Sequence, residues 1–352
     1  KCDPSIKQNI DRAVAAWPQR LSRGELFGSD GLRAAGSDPV LRALLQNAYV
    51  NDIPLERFLT LARSVLLEAA TATDAGDAIL TLACTLARQC FINEYVFAYA
   101  ADERAQVAKL RDQVAAALKS GEPIAALPLA VIASYEPLYS IPGFEALPAR
   151  SWPGEISDLL TQQVREPLAE RDLRNKIPKL TPIENDVSLL VQDQYEESPY
   201  PRWVKCAVDE LTQPIDARLR NDFPNARYLQ IGRADGLDVL IAGCGTGQQA
   251  VMMSRRYTGA RVLAVDLSRA SLCYAKYRTD ALGLDNIEYG QADILKLASL
   301  GRHFDLVACS GVLHHLADPL EGWRVLLSIL RPNGIMHIAL YSELARADVV
   351  AT

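Results

Sequence analysis

The 352-residue sequence predicts an α/β fold, a doubly wound parallel sheet, preceded by an all-helical domain. Three observations carry this expectation. Apolar residues in the first half recur at three- and four-residue spacing, in stretches rich in Ala and Leu with almost no β-branched alternation. The second half alternates short apolar runs with helical patterns, as parallel strands with right-handed crossovers require. A glycine-rich turn directly follows the first of those runs. The length gives room for about two domains at roughly 150 residues each. At 49% hydrophobic and 23% charged residues, the chain is not a largely disordered one.

Taken in order, Asp38-Pro39 supplies an N-cap followed by a proline at the first helical position, and Val40, Leu41, Leu44, Leu45, Ala48 and Tyr49 mark one face. Pro54 opens a second helix with Phe58, Leu59, Ala62, Val65 and Leu66 inward. Gly76-Asp77 precedes a third, carrying Ile79, Leu82, Ala83, Leu86 and Cys90. Further helical patterns cover 103–119, 122–133 and 156–174. Between them, Tyr135 to Pro153 is dense in aromatics and prolines and reads as an ordered loop. The tetratricopeptide spacing of Trp, Leu-Gly and Tyr is missing, so the expectation is an irregular helical array over 1–175. A linker and lid segment is expected over 176–235. Within it Gln194-Tyr-Glu-Glu-Ser-Pro-Tyr-Pro-Arg-Trp203 is too rich in proline for a regular helix and sits where it could reach over a sheet edge.

From 236 to 352 the period changes. Strands are expected at Asp238–Ala242, Arg261–Asp266, Ile287–Asp293, Phe304–Ser310 and Ile335–Tyr341, with helices near 247–257, 269–282 and 319–330. Gly243-Cys244-Gly245-Thr246-Gly247 occupies the first strand-to-helix turn, where glycines permit a tight bend and the helix N-terminus offers unpaired N–H groups to an anion. The next strand ends at Asp266, a carboxylate placed to accept from ribose hydroxyls or, alternatively, to cap the following helix. The third ends at Asp293-Ile294, a carboxylate beside an apolar residue, suited to an adenine amine and face or simply to a turn. The fourth ends at Ser310 and leads to His314-His315. All these features fall at strand C-termini, where open α/β sheets bind ligands.

Val-Leu-Ile-Ala-Gly-Cys-Gly-Thr-Gly, Val-Asp-Leu-Ser, Ala-Asp-Ile, Phe-Asp-Leu-Val, Val-Leu-His-His-Leu and Leu-Arg-Pro-Asn-Gly, in this order over about 236–352, resemble a class I S-adenosylmethionine-dependent methyltransferase. The 194–203 linker resembles that of bacterial methyltransferases with a helical, often tetratricopeptide-bearing, N-terminal region. The resemblance implies a Rossmann-like sheet and S-adenosylmethionine as cofactor. Gly243, Cys244, Gly245 and Gly247 would border its methionyl part. Asp266 would hold the ribose with Leu267 against the adenine, Asp293 and Ile294 would meet the adenine, and Ser310 would lie near the sulfonium. Ala242 stands where the family commonly has an acidic or polar residue. The family's sheet has seven strands; only five can be placed before Thr352, so the sheet is expected to be C-terminally incomplete, with an exposed fifth strand.

The implied reaction moves the methyl group by in-line displacement, so alignment is the protein's main task. His314 or His315 is the candidate catalytic base for an acceptor that arrives protonated. Tyr200 and Arg202 are candidates to clamp a cofactor or substrate carboxylate, or to make ordinary linker contacts. Cys244 reads as a small filler rather than a nucleophile. The acceptor, whether peptide, protein, carrier-bound or small molecule, is not encoded in any motif. A net charge of −6 argues against a nucleic-acid partner, and no apolar run is long enough for a membrane span. Seven scattered cysteines without Cys-x-x-Cys spacing suggest a reducing cytoplasmic setting and no metal. A homo-oligomer formed through the helical domain or the exposed strand is a further expectation. Two rival readings are an NAD-dependent oxidoreductase and a non-enzymatic helical adaptor. Gln248 at the sixth position of the turn, where a dinucleotide fingerprint needs glycine, weighs against the first, and intact Asp266 and Asp293 weigh against the second.

Overall fold

The structure is a computed structural model that describes residues 3–29, 31–71, 77–197, 199, 201–206, 211–231, 233, 236–342 and 344–347. The chain divides into two compact units, Lys1–Ala169 with Pro201–Lys205, and Glu170–Tyr200 with Cys206–Thr352.

The first unit is helical. Asp3 caps α1 (Pro4–Ala16) by accepting the Ser5 N–H, and Ser22 and Glu25 cap α2 (Arg23–Phe27) reciprocally. Next come α3 (Gly31–Ser37) and α4 (Pro39–Asn47), whose cap is Asp38, accepting from the Leu41 N–H as the sequence implies. Then α5 (Ile53–Thr71) and α6 (Asp77–Ile92) supply the centre of the core, with Phe58, Leu59, Ala62, Ala83, Leu86 and Ala87 removed from solvent. The long helix α7 (Ala101–Ser120) ends at Gly121, whose left-handed backbone (φ 80°) terminates it. It is followed by α8 (Ala126–Ile132), the ordered 135–153 segment buried through Leu138, Ile141 and Leu147, and α9 (Gly154–Leu160).

The single helix expected over 156–174 is interrupted. A π-turn at Thr161–Arg165 separates α9 from α10 (Glu166–Leu173). The extra residue turns Gln163 into the core, where its amide donates to the Ala87 and Ala133 carbonyls and accepts from the Leu138 N–H. No apolar spacing could reveal this, because a buried glutamine sits at the turning point. Arg63 of α5 is likewise fully buried. It donates to the carbonyls of Ser134, Phe97 and Ala98 and lies 4.2 Å over the Tyr135 ring, so carbonyl dipoles and a π-face replace its water.

In the second unit α11 (Asp186–Glu197) and α12 (Ile215–Asp222) precede a five-stranded parallel sheet. Residues 194–197, expected outside any regular helix, form the last turn of α11, which ends before Pro199. The alternation that follows is β1 (Leu237–Ala242), α13 (Gln248–Arg256), β2 (Ala260–Asp266), α14 (Arg269–Ala281), β3 (Ile287–Gln291), β4 (Phe304–Ser310), α15 (Pro319–Ser328) and β5 (Leu330–Ala339). The strand order is β3-β2-β1-β4-β5 and every neighbouring pair is parallel. Val239, Leu240, Ile241 and Ala242 of β1 are solvent-free, as expected for a strand covered on both faces. The order reverses between β1 and β4, so the loops leaving their C-termini diverge and open a crevice.

β5 starts five residues earlier than its alternation suggests. Its register on β4 shifts between Phe304 and Leu306, and Asn333 adopts φ 66°, so Arg331-Pro-Asn-Gly334 forms a bulge inside the strand. Among the described residues β5 has β4 alone as a strand neighbour. At the opposite end of the sheet, Asp238 receives Arg233 (3.1 Å), Arg261 (2.8 Å) and Arg331 (2.8 Å), while Arg331 also reaches Asp305 (2.8 Å). Burial acts to raise the Asp238 pKa, but the bonds from Arg261 and Arg331 outweigh it and hold it at about 2.

Replacing Arg63 by Ala strips three carbonyls of their donor and opens a cavity. Urea unfolding is expected to show the variant about 3–5 kcal/mol less stable; a change within experimental error would show that this guanidinium is dispensable.

Candidate cofactor and active site

The turn after β1 is held from behind by the end of β2. The N–H groups of Gly243 and Cys244 both donate to the Val265 carbonyl (2.8 and 2.9 Å), and the Gly245 N–H donates to Asp266 Oδ2 (2.7 Å). Gly243 (φ 73°) and Gly247 (φ 84°) are left-handed, and a side chain at either would collide. A Cβ at 243 would lie 2.4 Å from Val312 Cγ2, and one at 247 would lie 2.5 Å from the Ala275 Cβ. These two glycines therefore serve close packing of protein on protein. Gly247 is also the N-cap of α13, whose first-turn N–H groups have no intrahelical acceptor. Cys244 is buried and its thiol pKa is pushed well above the usual value, chiefly by burial and then by Asp266. It fills space and is not poised as a nucleophile.

Asp266 does more than cap a helix. Oδ2 takes the Gly245 N–H and Oδ1 takes the Ser268 N–H (2.9 Å), while the cap of α14 is Ser268 itself, accepting from Ser271. Burial raises the Asp266 pKa, and bonds from the Ser268, Gly245 and Leu267 N–H groups oppose that. Each carboxylate oxygen keeps a second lone pair for a further donor. The neighbouring Leu267 gives its carbonyl to the Gln291 side chain (2.8 Å), which ties the β2 and β3 loops together.

Asp293 is almost fully buried. Its N–H donates to Thr181 Oγ1 (2.8 Å) and its Oδ1 accepts the Leu295 N–H (2.9 Å), but Oδ2 is buried with no partner among the described residues. A bare buried acceptor of this kind costs about 1–3 kcal/mol, which an amine donor would recover. Ile294 beside it is buried. Ser310 at the end of β4 accepts from Gln249 of α13 (3.3 Å).

The two histidines follow in a short turn, Leu313–His315. The His314 ring lies against those of His315 (4.3 Å) and Tyr341 (4.1 Å), and both of its ring nitrogens are buried without a hydrogen-bond partner among the described residues. Its pKa is lowered, first by burial and then by His315 and Arg346, so the neutral base dominates at pH 7. His315 is exposed, its pKa is lowered by partial burial, and its ring stands edge-on to Tyr195 at 6.3 Å.

Gly243, Gly245, Gly247, Asp266, Asp293, Ser310 and the His pair thus gather at the C-terminal ends of four neighbouring strands. Of the two readings of Arg202, a clamp or an ordinary contact, the described contacts are of the second kind. Arg202 belongs to the helical unit, where its Nε donates to Glu94 (2.6 Å) and its guanidinium covers the Phe91 ring at 4.7 Å. A partly buried carboxylate partner commits that charge locally. Tyr200 lies outside the described residues. Thr181, Tyr195, Glu196, Gln249 and Tyr341 join the site without having been singled out. Tyr195 and Glu196 stood inside the 194–203 motif, and Tyr341 follows a strand end. Thr181 carried no signal, since a lone threonine in a polar stretch is ordinary.

A glycine turn, a strand-end carboxylate and a buried second carboxylate define an α/β domain that binds an adenosine-containing cofactor. A family profile described as "Methyltransferase domain" matches residues 239–334. An uncharacterized protein of Synechococcus sp. is 38% identical over 131 residues, 36% of this chain and 31% of its own. A ubiquinone biosynthesis O-methyltransferase of Cereibacter sphaeroides is 32% identical over 131 residues, 37% of this chain and 50% of its own. This chain thus spans half or less of the length of these relatives. Among solved structures, an S-adenosylmethionine-dependent methyltransferase from Clostridium acetobutylicum aligns with a TM-score of 0.30 at 20% identity, covering 38% of this chain and 59% of that one. The α/β part of the chain carries a methyltransferase domain over residues 239–334, for which the sequence motifs imply S-adenosylmethionine as cofactor. The residues present fit that group: the bare Asp293 oxygen matches an adenine amine, and Asp266 retains acceptor capacity for ribose hydroxyls.

Gly247→Ala should lose cofactor binding and at least about 2 kcal/mol of stability, because it combines a left-handed backbone with a packing clash. Calorimetric titration with S-adenosylhomocysteine and a thermal melt check both.

Proposed function

We propose that the protein transfers the methyl group of S-adenosylmethionine to a nucleophile held beside His314 and Tyr341. The observation that carries this reading is the pair of strand-end carboxylates: Asp266 braces the glycine turn, while Asp293 keeps one oxygen bare and buried. Together they suit the ribose and the adenine of one adenosyl group. Bound S-adenosylmethionine supplies an already activated methyl group on a sulfonium, so the protein's contribution is orientation and exclusion of water. The α13 N-terminus, with its unpaired amides, suits the carboxylate of the cofactor's methionyl part. Gln249 sets the Ser310 hydroxyl near that end.

His314 is the base. Its two partnerless nitrogens leave a lone pair for the proton of an acceptor hydroxyl or ammonium, and its neutral form is the populated one at pH 7. The name of the Cereibacter relative points to an oxygen acceptor. The array of helices in the first unit suits a peptide, protein or carrier-bound acceptor. Incubating cell extract with isotopically labelled S-adenosylmethionine, followed by mass spectrometry, separates these classes. We further propose a cytoplasmic setting, in keeping with the absence of disulfides among the described cysteines; no described helix is long and apolar enough to cross a membrane.

Asp266→Ala should weaken S-adenosylhomocysteine binding ten- to a hundredfold, about 1.5–3 kcal/mol for lost charge-assisted bonds. Wild-type protein that bound neither cofactor form at about 1 mM would sink the methyltransferase reading. In the wild type, turnover should be level where His314 is neutral and fall as the pH drops through its lowered pKa, because protonation occupies the lone pair. His314→Ala should cut turnover at least about tenfold and abolish that acid limb; an unchanged limb would remove His314 from the mechanism.

A further inference from the structure

The segment that leads into the methyltransferase domain leaves and returns to one place, the first residues of α14. At its start the Ile177 carbonyl accepts from the Arg269 guanidinium (3.0 Å). The chain then runs beside β3. The Gln291 N–H donates to the Pro178 carbonyl and the Leu180 N–H donates to the Gln291 carbonyl, both at 2.8 Å, which makes a parallel bridge centred on Lys179. The Leu180 side chain fills the space above Gly290, where a Cβ would come within 2.3 Å of Leu180 Cδ1. Thr181 Oγ1 accepts the Asp293 N–H. After α11 the chain comes back. The Tyr195 carbonyl accepts from the Ser268 hydroxyl (2.9 Å), and the Glu196 carboxylate accepts the Arg269 N–H while pairing with Arg174 (3.0 Å).

We propose that residues 177–196 are a clasp over the adenine end of the cofactor, and that Thr181 is the positioning residue of this subsite. The inference rests on the S-adenosylmethionine reading above and names residues that the strand-end motifs do not include. Asp293 has three polar contacts to place. Thr181 fixes its N–H, the Leu295 N–H fixes Oδ1, and with the backbone and one oxygen pinned, Oδ2 has a single direction in which to point. Thr181 and Asp293 are both buried, so water is a poor substitute for the hydroxyl. On the other side of the adenine region, Gln291 bonds the Leu267 carbonyl, and Tyr195 and Glu196 hold the turn that carries Asp266 and Leu267. The clasp therefore braces both loops that border an adenine.

The test compares S-adenosylhomocysteine with S-inosylhomocysteine, in which a carbonyl oxygen replaces the adenine amine and faces Oδ2 without a proton to share. By calorimetry on the full chain, the wild type should prefer S-adenosylhomocysteine by at least about tenfold. Thr181→Val keeps the side chain's shape but removes the acceptor, and the preference should drop below about threefold; Thr181→Ser should restore it. A Thr181→Val preference equal to the wild type's, or a Thr181→Ser variant that fails to restore it, overturns the proposal. Should Thr181→Val fold poorly, hydrogen exchange on the wild type decides. Saturating S-adenosylhomocysteine should slow exchange at the Leu180 and Asp293 amides, and unaltered exchange there overturns the clasp. Wild-type protein that binds neither ligand overturns the cofactor reading as well, whereas equal binding of both overturns this inference and the Asp293–adenine contact while leaving cofactor binding itself standing.

Discussion

A single buried carboxylate organises the ligand end of the sheet. Asp266 sits at the tip of β2 with one oxygen on the Gly245 N–H and the other on the Ser268 N–H, so the glycine turn and the start of α14 share one anchor. Burial penalises its charge, and the backbone N–H groups around it offset that penalty. Everything else that matters to the ligand is registered from this point. The turn sets the N-terminus of α13, Ser268 sets α14, and α14 in turn receives both ends of the 177–196 segment. The constraint is electrostatic as much as steric, because the turn's own amides are committed to the protein before any ligand arrives.

Much of this was legible in the sequence, for identifiable reasons. The strands and helices of the second unit follow from apolar runs broken by glycines, and the site's carboxylates stand where strand C-termini meet loops. Asp38-Pro39 announced the start of its helix through capping chemistry. What escaped was non-local. Thr181 matters because an amide more than a hundred residues later donates to it. The π-turn at Gln163 arises from three backbone partners on other segments. For Arg202 the sequence left a clamp and an ordinary contact open, and only folding reveals Glu94 and Phe91 against it. The bulge that opens β5 was readable in part, since Pro332-Asn333-Gly334 is turn chemistry, but its place inside a strand depends on the register with β4.

Buried polar groups are met in two ways. In the helical unit the Arg63 Nη atoms and the Gln163 amide donate to carbonyls, with Arg63 also over the Tyr135 ring, and these bonds rigidify the core. In the second unit Asp293 Oδ2 and the His314 nitrogens have no partner among the described residues. These particular atoms stand at strand C-termini, where an incoming ligand can satisfy them.

The buried thiol of Cys244 has a practical corollary for labelling chemistry. Maleimides and similar electrophiles react with the thiolate, and both burial and the adjacent carboxylate suppress that form at Cys244. Among the described cysteines Cys206 alone is not fully buried, and its sulfur lies 3.8 Å from the carbonyl of Gln248, the first residue of α13. A fluorophore attached there would report from the helix that borders the glycine turn while leaving the turn itself unmodified.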